Sequence, residues 1–275
     1  MTSRINPKND FVFQRIFGRE ENKDILLSFL NAVLKTSWEK KLTDIEILKS
    51  NLDKERIGEK NAILDICART AEGMQINIEV QLANKYNMEK RTLYYWSRLY
   101  CSQLPSGENY RNMKKTITIN ILDFEYINID YFHSVFHIRE DKTNYLLTDV
   151  FEVHFIELPK LYKENADVED PLVDWMLFLK GVSDETLEVL AMKEPAIKKA
   201  WTVLEILSMD EEAMRLYELR EKALHDEVSM LNGARDEGKK EVALKLLSKG
   251  MDTAFVSETT GLPEADIIEL KGNLN

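Results

Sequence analysis

Cysteine is nearly absent from this sequence: among 275 residues only Cys67 and Cys101 carry thiols, and their spacing is not C-x-x-C. That excludes a disulfide framework and a cysteine-based zinc site, so any metal must be held mainly by oxygen ligands. Ten glycines and six prolines are too few for a collagen-like or low-complexity chain. No apolar run approaches the roughly 18–20 residues that span a bilayer, and Met1 is followed by polar MTSRINPKND instead of a signal-peptide core. These absences predict a cytoplasmic protein that does not engage membranes. A Gly-rich phosphate loop and a G-x-S-x-G elbow are also missing, which removes the common NTPase and α/β-hydrolase readings. Positive charge is short as well, 37 Lys and Arg against 48 Asp and Glu for a net of −11, and this discourages binding of a polyanion by the chain as a whole.

The charge that is present is unevenly placed. Residues 1–125 hold 20 basic against 17 acidic side chains, a net of +3, whereas residues 126–275 hold 17 against 31, a net of −14. Only the front half suits a nucleic acid. Its opening NPKNDFVFQRIFGREENKDILLSFLNAVL spaces Phe13, Phe17, Ile25, Phe29 and Val33 as a short helix followed by a longer amphipathic one. NAILDICA and MQINIEVQL, rich in β-branched residues, flank RTAEG as in a hairpin. Residues 86–104 return to helical spacing, 114–124 form a buried strand, and 145–158 supply one or two more. After Pro159 the pattern is helical to residue 231. Three short helices then follow, broken at Gly250 and at Gly261-Leu262-Pro263.

A hairpin symmetric about Glu72 pairs positions that sum to 144, which sets Asp65 opposite Glu79. Side chains alternate along a strand, so Asp65, Glu79 and Gln81 share one face, away from Ile76, Ile78 and Val80. Like charges about 4.5–5.5 Å apart destabilise a sheet unless something neutralises them. A divalent cation such as Mg²⁺, bound by one or two carboxylates together with waters and phosphate, would do so.

Asp65 followed by Glu79-Val80-Gln81 on the next strand resembles the PD-(D/E)XK nuclease core, in the Glu-x-Gln form of Rpn-type recombination-promoting nucleases, also labelled transposases. NPKNDFVFQRIFG, KRTLYYWSRLYCSQL, TITINILDF, FEVHFIELPKL and the C-terminal EGKKEVALKLLSKGMDTAFVSETTGLPEADI are similar to that family too, so the resemblance spans most of the chain. It implies an α/β, restriction-endonuclease-like core with a mixed central sheet flanked by helices and an all-α C-terminal extension. The expected divisions are a nuclease-like domain at 1–160, a helical extension at 161–232 and a small helical module at 233–275. The implied activity is a metal-dependent DNA endonuclease tied to recombination or mobile DNA, with Mg²⁺ or another divalent cation as cofactor. Asp65 and Glu79 would be metal ligands. Asp10 is either a further ligand or water-orienting group, or simply the cap of the first helix. Gln81 stands where Lys is usual in the superfamily and can position water but supplies no charge; Lys60 and Lys85 are possible substitutes. The alternative is a catalytically silent nuclease fold that binds nucleic acid or a protein partner.

Residues 80–115 carry seven basic and two acidic side chains interleaved with aromatics. Lys85, Arg91, Tyr94 and Arg98 are the candidate DNA contacts, although the same helix also reads as one whose tyrosines pack on the sheet. The C-terminal helices are expected to mediate packing or homo-oligomerisation. Their helix-turn-helix look is offset by charge, since PEADIIELK has three acids to one lysine. His133 and His137 lack the Glu of H-E-x-x-H and read as structural or surface groups.

Overall fold

The structure, a computed structural model, describes residues 5–35, 40–48, 51–52, 62–63, 65–84, 86–105, 107–163 and 169–273. Lys60 and Lys85 lie outside them. The first helix, α1 (Asp10–Phe17), is started by Asn9, whose side chain accepts the Phe11 N–H. Asp10 shares that role, its own Oδ1 accepting the same N–H at 2.8 Å. Helix α2 (Lys23–Leu34) buries Ile25, Leu26, Phe29, Leu30 and Val33 at helical spacing.

Strands β1 (Ile45–Leu48), β4 (Ile66–Thr70), β5 (Gln75–Gln81), β6 (Thr116–Leu122), β7 (His133–Phe136) and β8 (Phe151–Glu157) form a mixed sheet in the order β1-β4-β5-β6-β8-β7. The short β2 (Asn51–Leu52) and β3 (Ala62–Ile63) pair separately. Strands β1, β4 and β5 run antiparallel in sequence, β5, β6 and β8 are parallel, and β7 returns antiparallel on the edge of β8. The crossover from β5 to β6 contains α3 (Met88–Cys101), as a parallel pair requires.

The parallel register of β5 on β6 sets Ile76, Ile78 and Val80 beside Ile117, Ile119 and Ile121. That face joins one core with α1, α2 and the helices α4 (Pro171–Lys180), α5 (Asp184–Lys193) and α6 (Pro195–Met209). Each such side chain contributes about 1.5–3 kcal/mol on full burial. At its centre Trp175 of α4 meets Phe17 and Phe29 at ring separations of 5.5 and 5.9 Å. The opposite face is polar: Asn77 and Glu79 lie beside Thr118 and Asn120. There Thr92 of α3 donates to Asn120 at 3.0 Å.

Residues 1–220 make one compact unit and 221–275 another. Within the first, α4, α5 and α6 share the core that the sheet and N-terminal helices build. The second unit has a small core of Ala243, Leu247, Val256, Leu262 and Ile267, drawn from the end of α7 (Glu211–Ser248), from α8 (Thr253–Thr260) and α9 (Glu264–Gly272), and from the loop between α8 and α9. The expected stops at Gly250 and Gly261 are present, both with positive φ. The first of the three short helices expected there is instead the end of α7, which runs unbroken through Gly233 and Gly238; a helical glycine costs only about 1 kcal/mol against alanine. Among the described residues no helix is long and apolar enough to cross a membrane.

Candidate active site

The β4–β5 hairpin pairs Ile66 with Ile78, Cys67 with Asn77 and Ala68 with Ile76, so every pair sums to 144. The turn is closed by Gly73 N–H donating to Thr70 O and Thr70 N–H donating to Met74 O, both at 2.9 Å. Gly73 takes φ +87°, the left-handed conformation that a three-residue hairpin loop needs and glycine supplies without steric cost. Asp65 stands one position beyond the last of these pairs. Its Oδ2 accepts the Val80 N–H at 2.8 Å, and its charge is felt at Glu79. The two acids are therefore neighbours, as the symmetric register requires.

Glu79 is 2 % exposed. Its Oε2 lies 3.4 Å from Nη2 of Arg91 and its Oε1 3.4 Å from Nδ2 of Asn77. Burial first, and the Asp65 charge second, push its carboxyl up to about 8, against the opposing pull of Arg91. Among the described residues Asn77 Oδ1 is buried with no hydrogen-bond partner. Gln81 follows on the same polar face and is buried. The functional reading of the sequence passed over Asn77; its signal is the i−2 position to Glu79 on one strand.

Asp10 sits elsewhere in its contacts, with Oδ2 3.4 Å from Arg220 Nη1 and its side chain half exposed. Among the described residues no three His, Cys, Asp or Glu side chains gather into a metal cage. Of the candidate DNA contacts on α3, Arg91 faces Glu79 and stacks over Tyr95 at 5.3 Å. Tyr94 is exposed, its ring 5.7 Å from that of Tyr95; Arg98 is half-buried. Tyr86 and Asn87, which lead into α3, both take left-handed φ, and for a tyrosine this costs roughly 1–2 kcal/mol.

A model of the family described as PD-(D/E)XK nuclease family transposase matches residues 7–234. The chain belongs to that family. No curated protein and no solved structure matches significantly. For this PD-(D/E)XK family member the mixed sheet, the flanking helices and the all-α C-terminal part are the architecture that the resemblance implied.

A second polar cluster lies apart from the acids, toward the β7 edge. His133 is on a strand, not a helix, and its Nε2 is 2.8 Å from His154 Nδ1. His154 Nε2 is 2.7 Å from Glu152 Oε1, while Lys115 Nζ (2.7 Å) and His137 Nε2 (3.0 Å) reach Glu152 Oε2. Burial would raise the Glu152 carboxyl, yet hydrogen bonds from His154 and Lys115 hold it below the usual range. Burial pushes the His133 imidazole down to about 3. The expected structural role of the histidines is thus a buried network that ties β6, β7 and β8 together.

Proposed function

We propose that this PD-(D/E)XK family member is a metal-dependent DNA endonuclease that hydrolyses phosphodiester bonds in recombination or in mobile DNA. The observation that carries the reading is the pairing of Asp65 with a buried Glu79 on one hairpin. Two neighbouring carboxylates, one of them buried, are costly without a counter-charge. The residues suit Mg²⁺ or another hard divalent cation, because the donors are all oxygen, one carboxylate is buried, and Asn77 leaves a further oxygen unsatisfied.

Asp65 and Glu79 would hold the ion, with Asp10 in a supporting role on α1. When bound, such an ion stabilises charge on the scissile phosphate and lowers the pKa of a water. The protein's own groups do the rest. Gln81 on the same face positions water by hydrogen bonds through its amide. Arg91, which faces Glu79, offers a guanidinium to the phosphate, and Tyr94, Arg98 and Lys85 extend the contact along the strand. The second reading, a silent nucleic-acid-binding scaffold, is favoured by one observation: Arg91 already engages Glu79, while Gln81 brings no charge.

Supercoiled plasmid nicking, with and without Mg²⁺, separates the two. Wild type should nick only with the ion, and Asp65→Ala or Glu79→Ala should lower the rate by roughly 10²-fold or more, beyond the 10–100-fold typical of residues that merely support metal ligands. Asp10→Ala run alongside reports its share. Nicking unaffected by Glu79→Ala would remove the site assignment; no nicking with any divalent ion would leave the silent scaffold.

A further inference from the structure

A cleft of about 340 Å³ reaches Asp65 from the side of α1, and among its lining residues are Phe11, Gln14, Arg15, Arg19, Asp65 and Cys67. Its charge is unusual for so acidic a chain. Among the described residues neither Arg15 nor Arg19 joins the ion pairs that engage other cations of this region, such as Lys8, Lys23 and Arg69. Arg15 is half-buried and held in place, its guanidinium carbon 5.2 Å from the Phe11 ring centroid. A guanidinium stacked in this way loses little freedom when it then binds an anion. Arg19 is exposed at the mouth.

Gly18, the C-cap of α1, lines the cleft without a side chain, and a Cβ there would come within 2.8 Å of Gln14 O. The carbonyl end of a helix carries partial negative charge, and Asp65 adds a full one. Neither the helix end nor the cleft floor attracts an anion, so attraction must come from the two arginines, with Gln14 as an uncharged donor.

We propose that this cleft is a phosphodiester-binding subsite, in which Arg15 and Arg19 grip the backbone of the nucleic-acid strand next to the bond held at Asp65 and Glu79. The assignment rests on the endonuclease reading for the direction of the strand, and it adds α1 as a contact surface besides α3. The volume suits a phosphate with part of its nucleotide and not a duplex cross-section.

Binding of a labelled 20-nucleotide single strand to the full chain, measured in EDTA and again in Ca²⁺ over a KCl series, tests it apart from cleavage. Arg15→Gln/Arg19→Gln should bind about 10-fold more weakly at 100 mM KCl. Its slope of log K against log salt should be shallower by roughly 0.7 for each phosphate that the variant no longer engages. Arg19→Glu, a change at an exposed residue that leaves the fold intact, should lose at least as much as Arg19→Gln, and Arg15→Lys/Arg19→Lys should keep most of the slope. Wild-type affinity and slope in the Gln variants would overturn the subsite, as would failure of wild type to bind in either ion condition. Binding of inorganic phosphate with the same arginine dependence, but no binding of the strand, would overturn the nucleic-acid assignment. Arginine-dependent binding without any nicking would uphold the subsite and remove the endonuclease reading. Undiminished nicking by the Gln variants would do the reverse.

Discussion

Glu79 concentrates the chemistry of this protein in one carboxyl. Burial and the Asp65 charge raise its pKa to about 8, so in the metal-free protein it is mostly protonated at neutral pH. The sign of the linkage follows. Between the ordinary carboxyl range, near 4.5, and about 8 the folded state binds a proton that the unfolded state has released. The stability contributed by this group is therefore whole below about 4.5 and is lost as pH rises through 8. Glu79→Gln removes that loss. In chelator, urea unfolding should show the stability of the variant gaining on wild type from pH 4.5 to 8 and levelling above. A difference that stays constant with pH would mean that Glu79 is not held protonated by its surroundings.

The β4–β5 hairpin shows what the sequence discloses and what it withholds about an element. Its register was legible because RTAEG is a turn of obvious symmetry and because MQINIEVQL alternates apolar with polar side chains; together these allow one pairing that buries Ile76 and Ile78. Strands β1 and β7 were not legible, being four residues each with little alternation. β7 pairs with β8, and His133 at its start and His137 just past its end reach His154 and Glu152 of that neighbouring strand. The arginine cleft was equally hidden, since nothing in the spacing of Arg15 and Arg19 reveals that Asp65 lies beside them. The hairpin also makes a direct prediction. Gly73→Ala puts a Cβ at φ +87°, 3.2 Å from the Lys114 side chain, and should cost about 1–2 kcal/mol. A fall in the urea midpoint at unchanged m-value would report it, whereas an unaltered midpoint would mean that the turn tolerates a side chain at φ > 0.

Across the whole molecule, stability is shared unequally. The first unit has a large core running from Ile5 to Leu204. The second relies on five buried side chains, a core of the size that leaves small domains marginal. Ile267→Ala removes one of the five at a cost of about 2–5 kcal/mol. Hydrogen exchange should then show α8 and α9 losing protection while β5 and β6 keep theirs. Simultaneous loss in the sheet would show that the two units unfold as one. The acidity of the second half has a similar division of labour: it leaves the hairpin and α3 as the part of the chain best suited to a polyanion.

The turn at Thr70–Met74 has a consequence for how the protein acquires its site. Asp65 and Glu79 are brought together by closing a loop of a few residues, and each doubling of such a loop would add only about 0.6 kcal/mol of entropy. Their meeting needs neither the parallel crossover through α3 nor the docking of α4, which are the slow, long-range steps of a mixed sheet. The acid pair can form as an early local contact while the rest of the chain is still finding its place, and large changes in the distant helices can be accommodated without moving one acid relative to the other.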